Sequence, residues 1–542
     1  MNKIIKNRFN KVKESLNIFS FLKKLYLLYD YLFVAHVTKL QPKQSLKRSL
    51  ILTLVVILFS LPLNWELLKD KNISLGSDNH SSVSLNIAVN NIVCKQLSRF
   101  APTFNQFILS ENSKILDEKV LDLPTSIASS QSEYCQSTNP FINNENTLGW
   151  LMEIVLRVFP NITVRQLGLA LNSIKIGCLI ILTFFLIWIG ISPFIAFMTL
   201  NVGISVVDLV NNTHYYALYP FLMPFIILMI AILGIAIKLK AYKRVYIAVP
   251  VLLGIGIYGA LFKNLRTSYY PVIIFCLLIY ILFTIFELKV NRQISRIYRT
   301  IFPGLAILVF CAGVAIFNIN LVHPIEKLNT GYNRSYHVIA HPLVLSLALP
   351  ENKLSQREGI QWSDGVGLSL AHKIDPDVTY LDTNYEKALF TYYFKLWMYY
   401  PNEMVNIYWQ KLKLAGSQIP DFIKKSDEIN QFLLSNFFPL NFLSNGIITI
   451  SIFLAISLLG FFLQRYFTPE FLFTLIGIFG AGLLLLLESA IIMPFFRTTH
   501  HNYLLFCFLV LSLALYQLLF NLLALLFQNI FKFIQKYSKV NP

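Results

Sequence analysis

The sequence predicts an all-α polytopic membrane protein: about ten transmembrane helices and two long extracytoplasmic segments, the second an α-rich small domain. Three observations predict it. Hydrophobic residues make up 55% of the 542 positions and charged residues 14%, with a mean hydropathy of +0.58, far from the balance of a soluble domain. Apolar runs recur at the length a bilayer core demands. The basic residues collect in alternate connections between those runs, as the positive-inside rule requires.

In chain order, residues 1–48 form a basic cytoplasmic region with eleven Lys/Arg against Glu14 and Asp30. Its middle, LNIFSFLKKLYLLYDYLFVAHV, interleaves Leu, Phe and Tyr with Lys23 and Lys24. It reads as an interfacial helix on anionic lipid, with a partner-binding helix as the alternative. The leader is too long for an ordinary cleaved signal peptide, so residues 49–65 are expected to be a first transmembrane helix kept as a signal anchor. A polar first extracytoplasmic loop follows over 66–165. Residues 166–320 hold helices two to seven, centred within 174–190, 191–210, 217–237, 245–262, 270–286 and 301–320. The run at 191–210 is the least regular, since it contains Pro193, Asn201, Gly203 and Asp208.

Residues 321–445 are the extracytoplasmic domain. Its first half is broken by Pro and Gly and carries His337, His341, Trp362, Asp364, His372, Asp375 and Asp377. Its second half, from Tyr385 to about Leu414, spaces its aromatics as a helix does and is interrupted at Pro401. Tyr and Trp beside a membrane suit the interfacial aromatic belt or stacking on sugar rings. Helices eight to ten fall within 446–530, and 531–542 is a basic cytoplasmic tail.

Charge sets the expected orientation. With residue 1 on the cytoplasmic side, the inner segments hold 23 Lys/Arg against four Asp/Glu, while everything else holds 23 Lys/Arg against 24 Asp/Glu. The whole excess of +18 therefore lies on one face, and the motive for a nucleic-acid partner disappears. Six cysteines make neither a disulfide scaffold nor a metal cluster; Cys178, Cys276, Cys311 and Cys507 sit in apolar runs. Cys94 and Cys135 share the first polar loop and can pair if it faces an oxidising compartment. The chain has no nucleotide-binding glycine motif and no HExxH. His337 and His341 are four apart, but Pro342 disfavours helix at His341, so surface or packing histidines are expected in place of a metal site.

The stretch GWLMEIVLRVFPNITVRQLGLALNSIKIGCLIIL, Gly149 to Leu182, resembles the end of the first outer loop and the start of the second span in the C superfamily of glycosyltransferases, the polyprenyl-phosphate-sugar-dependent membrane enzymes. There an amphipathic helix, a short turn and an Arg-containing stretch lead into the next span. The segments HVIAHP, WSDG, DPD and YEKAL look like parts of uncharacterised bacterial relatives, which supply no mechanism. The resemblance implies an acid soon after the first span, acting as the base that deprotonates the acceptor or as a ligand of a divalent metal. Matching positions are Glu66, Asp70 and Asp78, although the adjacent acid pair usual in the family is missing and Lys69 and Lys71 stand beside them.

Displacing a polyprenyl phosphate from a sugar C1 needs such a base and positive charge on the departing phosphate. The cationic candidates are Lys263 and Arg266 in one outer turn and Arg497, His500 and His501 in the last. Lys263 also suits a snorkelling anchor. An Arg followed by Tyr-Leu resembles the family's final outer turn, which singles out Arg497 and Tyr503. Asp208 and Glu488 lie within or at the outer edge of spans, where ionisable groups face a bundle interior or wet cavity and find partners; His214 and Arg497 are the nearest in sequence.

The expected function is transfer of a sugar from a polyprenyl-phosphate donor to a lipid-linked or cell-surface glycan acceptor, at the outer face of a bacterial plasma membrane with both termini cytoplasmic. No cofactor is assigned, with a divalent metal left open. A polysaccharide ligase or polymerase relying on the outer Arg and His is the alternative. A transporter or flippase is the reading from another class; it lacks an internal repeat and has few charges deep in its spans.

Overall fold

The structure, a computed structural model, describes residues 45–64, 79–95, 99–111, 114–136, 139–140, 147–213, 219–265, 270–290, 296–318, 339–380, 383–417, 445–452 and 468–492, with isolated positions at 24, 421, 455, 523, 526, 527, 529 and 530. These residues are almost entirely helical, as the composition requires. The exception is one antiparallel pair of two-residue strands, Arg99–Phe100 and Asn139–Pro140.

Helix α1 (Leu46–Leu63) is followed by four helices within the first polar segment: α2 (Asn79–Val93), α3 (Pro102–Glu111), α4 (Gln131–Gln136) and α5 (Thr147–Val158). A long bundle comes next, made of α6 (Val164–Ile189), α7 (Pro193–Thr213), α8 (Tyr219–Lys238), α9 (Val245–Leu265), α10 (Tyr270–Val290) and α11 (Arg296–Phe317). The small domain consists of α12 (Ala340–Leu345), α13 (Lys353–Glu358), α14 (Asp364–His372), α15 (Thr383–Tyr399) and α16 (Pro401–Leu414), after which α17 (Pro469–Ile492) rejoins the bundle. Among the described residues four helices are long and apolar enough to cross a membrane: Val164–Ile189, Pro271–Leu288, Thr300–Phe317 and Pro469–Glu488. Shorter apolar stretches, Pro193–Val207, Met223–Lys238 and Val245–Leu261, coincide with three more of the anticipated spans. The interfacial helix expected near the start, most of the eighth and tenth spans, and the tail lie outside the described residues.

Local chemistry sets the helix ends. Thr163 and Gln166 form a reciprocal capping box at the start of α6, and Gly190 closes it with a left-handed backbone at φ 105°. Pro193 then begins α7, where a missing N–H costs nothing. Helices α9 and α11 meet backbone to backbone. A Cβ at Gly256 would come within 2.2 Å of the Phe310 carbonyl, and one at Gly313 within 2.4 Å of the Leu253 carbonyl, so only glycine permits this crossing.

Paired helix ends show how the bundle alternates. At one end Lys238, closing α8, reaches Glu470 at 3.4 Å in the first turn of α17 and stands 5.6 Å from the ring of Trp188, near the end of α6. Just beyond α8, the Tyr242 carbonyl accepts a 2.6 Å hydrogen bond from Tyr298 in the first turn of α11. At the opposite end, Trp150 on α5 packs edge-on against Phe317, the last residue of α11, at 5.7 Å. There also, Ile491 at the end of α17 receives two side chains of the small domain. The first polar segment and the small domain are therefore gathered at the same end of the bundle.

The first polar segment is a folded unit where the sequence suggested a loop. Its polar character comes from buried asparagines that satisfy backbone. Asn86 bonds both the carbonyl and the N–H of Ala101, at 2.7 and 3.1 Å. Asn90, one turn on, donates to Asn86 at 2.9 Å and accepts from the buried Tyr134 hydroxyl. Asn91 donates to Glu153 on α5 at 2.7 Å. Buried polar groups persist only when paired in this way. A disulfide joins Cys94 to Cys135 across 41 residues, and closing a loop of that size in the unfolded chain is worth about 4 kcal/mol. Replacing both cysteines by Ser is expected to lower the unfolding free energy of this unit by about 2–4 kcal/mol, read as earlier protease cleavage between residues 95 and 135 on heating.

Candidate functional site

The described chemistry concentrates in the small domain, around a hydrogen-bonded relay of three side chains. Ser363 leads into α14, so Asp364 occupies the first position of that helix, where a carboxylate is favoured by the helix dipole. His341 lies at the second position of α12, and Tyr385 near the start of α15. Imidazole Nε2 meets Asp364 Oδ1 at 3.1 Å, and Nδ1 meets the Tyr385 hydroxyl. Burial decreases from one end to the other: Tyr385 is fully buried, while the His341 and Asp364 side chains are 13% and 86% exposed.

Burial raises the Tyr385 phenol above its ordinary range, and the neighbouring Tyr380, Asp364 and Glu386 add to the effect, so the phenol keeps its proton. A carboxylate only accepts, so the imidazole Nε2 N–H is the donor to Asp364. In a Ser-His-Asp triad the carboxylate is buried and the working group exposed. Here the phenol is the buried anchor and the carboxylate is the outward end.

Two further features hold the relay in place. Glu386, whose carboxyl burial raises above the usual range, accepts a 2.9 Å hydrogen bond from the Ala340 N–H and so fixes the start of the helix that carries His341. Gly367 on α14 leaves the space that the relay fills: a Cβ there would stand 2.3 Å from the Tyr385 hydroxyl oxygen and 2.7 Å from His341 Nδ1. Tyr380 packs edge-on against both rings, 6.0 Å from His341 and 5.4 Å from Tyr385.

Sequence reasoning set aside helix at His341 because of Pro342; the structure places both in α12. Proline is tolerated there because first-turn N–H groups have no acceptor within the helix. His372 is separate from the relay and meets the Val378 carbonyl at 3.0 Å. Among the described residues no group of three His, Cys, Asp or Glu lies close enough to hold a metal ion.

Of the residues expected to carry chemistry, Asp364 belongs to this relay. Glu488 lies on α17, half-buried, and Asp208 lies on α7. Lys263 falls on the last turn of α9. Glu66, Asp70, Asp78, Arg266, Arg497, His500, His501 and Tyr503 lie outside the described residues, as does His337. The segments that carry its members, HVIAHP, WSDG and YEKAL, stood out in the sequence, but nothing there joined them, because the members are 23 and 44 residues apart and follow no period.

The small domain is fixed to the bundle by a second polar contact that the sequence did not indicate. Lys411 on α16 is fully buried. Its ammonium donates to Ser346 Oγ and to the Ile491 carbonyl at the end of α17, both at 2.8 Å, and lies 5.0 Å from the ring of Tyr408. Ser346 Oγ, which donates to the Leu343 carbonyl at 2.8 Å, lies 3.3 Å from the same Ile491 carbonyl. A cation at a helix C-terminus satisfies carbonyls that have no partner within the helix. Desolvation pulls the Lys411 amine down to about 7.

Comparisons with known proteins find no matching family model, no matching curated protein and no matching solved structure. The functional reading therefore rests on these residues and on the resemblance drawn from the sequence.

Two expectations follow. Gly367→Ala should displace the buried Tyr385 hydroxyl and lower the stability of the small domain by about 1–3 kcal/mol, seen as a lower unfolding temperature. For Lys411 the folded amine near 7 lies below the unfolded value of about 10.4, so between these values the unfolded chain holds the extra proton. Stability should then rise from pH 7 towards pH 10. Lys411→Met should remove that slope, and the difference between the two proteins across pH 6–10 measures it.

Proposed function

We propose that the chain is a membrane glycosyltransferase that transfers a sugar from a polyprenyl-phosphate donor to a glycan or lipid-linked acceptor. In this reading ten spans cross a bacterial plasma membrane, with the first polar segment and the small domain on the extracytoplasmic face. One observation carries it: both polar units are held at the same end of the helical bundle, through Trp150 on Phe317 and through Lys411 and Ser346 on Ile491. The first-loop acids precede α2 in the chain, and Arg497, His500 and His501 directly follow α17. Two chemically opposite groups that the reaction needs thus belong to segments adjacent in sequence to these two helices. The Cys94–Cys135 disulfide supports an oxidising compartment for that surface, and Lys238, Lys240, Lys243 and Arg244 supply the opposite end with the basic residues of a cytoplasmic face.

Under this reading one of Glu66, Asp70 and Asp78 accepts the proton of the acceptor hydroxyl, while Arg497, His500 and His501, assisted by Arg266 and Lys263, stabilise the leaving phosphate. Transfer should be assayed with polyprenyl-phosphate sugars and the purified chain in lipid nanodiscs, for Glu66→Gln, Asp70→Asn and Asp78→Asn separately. One of the three is expected to lose about 100-fold or more in rate while folding normally. Full activity in all three would overturn the assignment. If Arg497→Ala or His500→Ala alone then abolished product formation, a ligase or polymerase would take its place.

A further inference from the structure

The helix dipole favours a carboxylate at the position of Asp364 but does not require the relay behind it. The Asp364 side chain is 86% exposed, and a pairing that solvated adds little to stability. A Cβ at position 367 would nevertheless meet the Tyr385 hydroxyl and the His341 ring, and a buried phenol and a largely buried imidazole stand behind one carboxylate in water. Immobilising such a group costs side-chain entropy, and that cost is offset only when a partner meets the group already oriented.

The surroundings define the partner. A carboxylate with one oxygen taken by an imidazole N–H can only accept, so the ligand is a hydrogen-bond donor. Two large aromatic side chains, one in contact with the relay and one close to Asp364 in the chain, are exposed. Tyr380 is 43% exposed, in ring contact with His341, and close enough to Asp364 for the carboxylate charge to act on its phenol. Trp362, 38% exposed, stands two residues before Asp364 on the turn that opens α14. A carboxylate repels a phosphate, and Lys373 and Arg357 of the same domain are engaged with Glu358 and Glu403. The ligand class that offers both a row of hydroxyl donors and a flat C–H face to an aromatic ring is a neutral sugar.

We infer that Asp364, Tyr380 and Trp362 form a binding subsite for a neutral sugar ring of a glycan, with Asp364 accepting from sugar hydroxyls and the aromatic faces packing on the ring. His341 and Tyr385 are positioning residues that act through Asp364. Calling this glycan the acceptor rests on the transferase reading above; the binding itself does not.

The test measures binding without a donor. Full-length protein in nanodiscs is passed over immobilised oligosaccharides ending in glucose, galactose, mannose, rhamnose or N-acetylglucosamine. Retention on at least one of them is expected, with a loss of at least tenfold in apparent affinity for Asp364→Asn and for Tyr380→Ala. Gly367→Ala, which keeps all three ligand-facing side chains but disturbs the relay, is expected to weaken binding as well, and Lys395→Ala on the exposed face of α15 to leave it unchanged. Unfolding temperatures of each variant separate lost binding from lost folding. Because every oligosaccharide is tested without donor, glycan binding that depends on Asp364 stands even if no transfer is ever found, which would sink only the transferase reading. Failure of the wild-type chain to bind any of these sugars, or equal binding by folded Asp364→Asn and Tyr380→Ala, overturns the inference even if transfer is observed.

Discussion

A single carbonyl, that of Ile491, is the point on which the arrangement of this protein turns. It closes the long helix α17, and it receives the Lys411 ammonium of the small domain beside the Ser346 hydroxyl. An ammonium taken out of water is costly, and carbonyl and hydroxyl oxygens repay that only in part, which is why desolvation depresses its proton affinity. The contact is therefore poor at adding stability and good at specifying position, since one buried donor can be satisfied in only one docking arrangement. It places the relay domain at the end of the helix from which Arg497, His500 and His501 continue.

The same economy of polar groups runs through the rest of the chain. Helices dominate because a backbone in an apolar environment must satisfy its own hydrogen bonds, and the few polar side chains inside serve specific junctions. Asn64 at the end of α1 donates to Asn201 on α7 at 2.7 Å, and Asn201 donates back to Ser60 at 3.1 Å. Asn86 and Asn90 act likewise between α2 and the strand pair. Lys238 and Glu470, at 10% and 9% exposure, meet as opposite charges where two helix ends come together. The Asp364 relay departs from this pattern, because its carboxylate is turned outward, and that departure is what gives it a functional reading.

Much of the fold could be read in advance. Composition and run length specify helices that span apolar surroundings, Pro401 marks the start of α16, and the break at Gly190 to Pro193 separates α6 from α7. These succeed because they depend on hydropathy and backbone preference, which are properties of short stretches. The folded first segment was less legible: asparagines that look like loop residues are buried partners of one backbone segment, and burial is a property of what packs against them. His341 was misjudged for a related reason, since a proline excludes helix in the interior but not in the first turn.

The sequence by itself determined the helical, membrane-suited character of this chain and the clustering of its basic residues between apolar runs, because each follows from residue type and local order. Only the tertiary structure decided that Tyr385, His341 and Asp364 form one relay, that Gly367 leaves room for it, that Cys94 meets Cys135, and that Lys411 closes α17. Those contacts join residues from 18 to 80 positions apart, separations with no periodic trace in a chain; they exist because packing brings distant faces together and because a buried polar atom must find a partner wherever the fold supplies one.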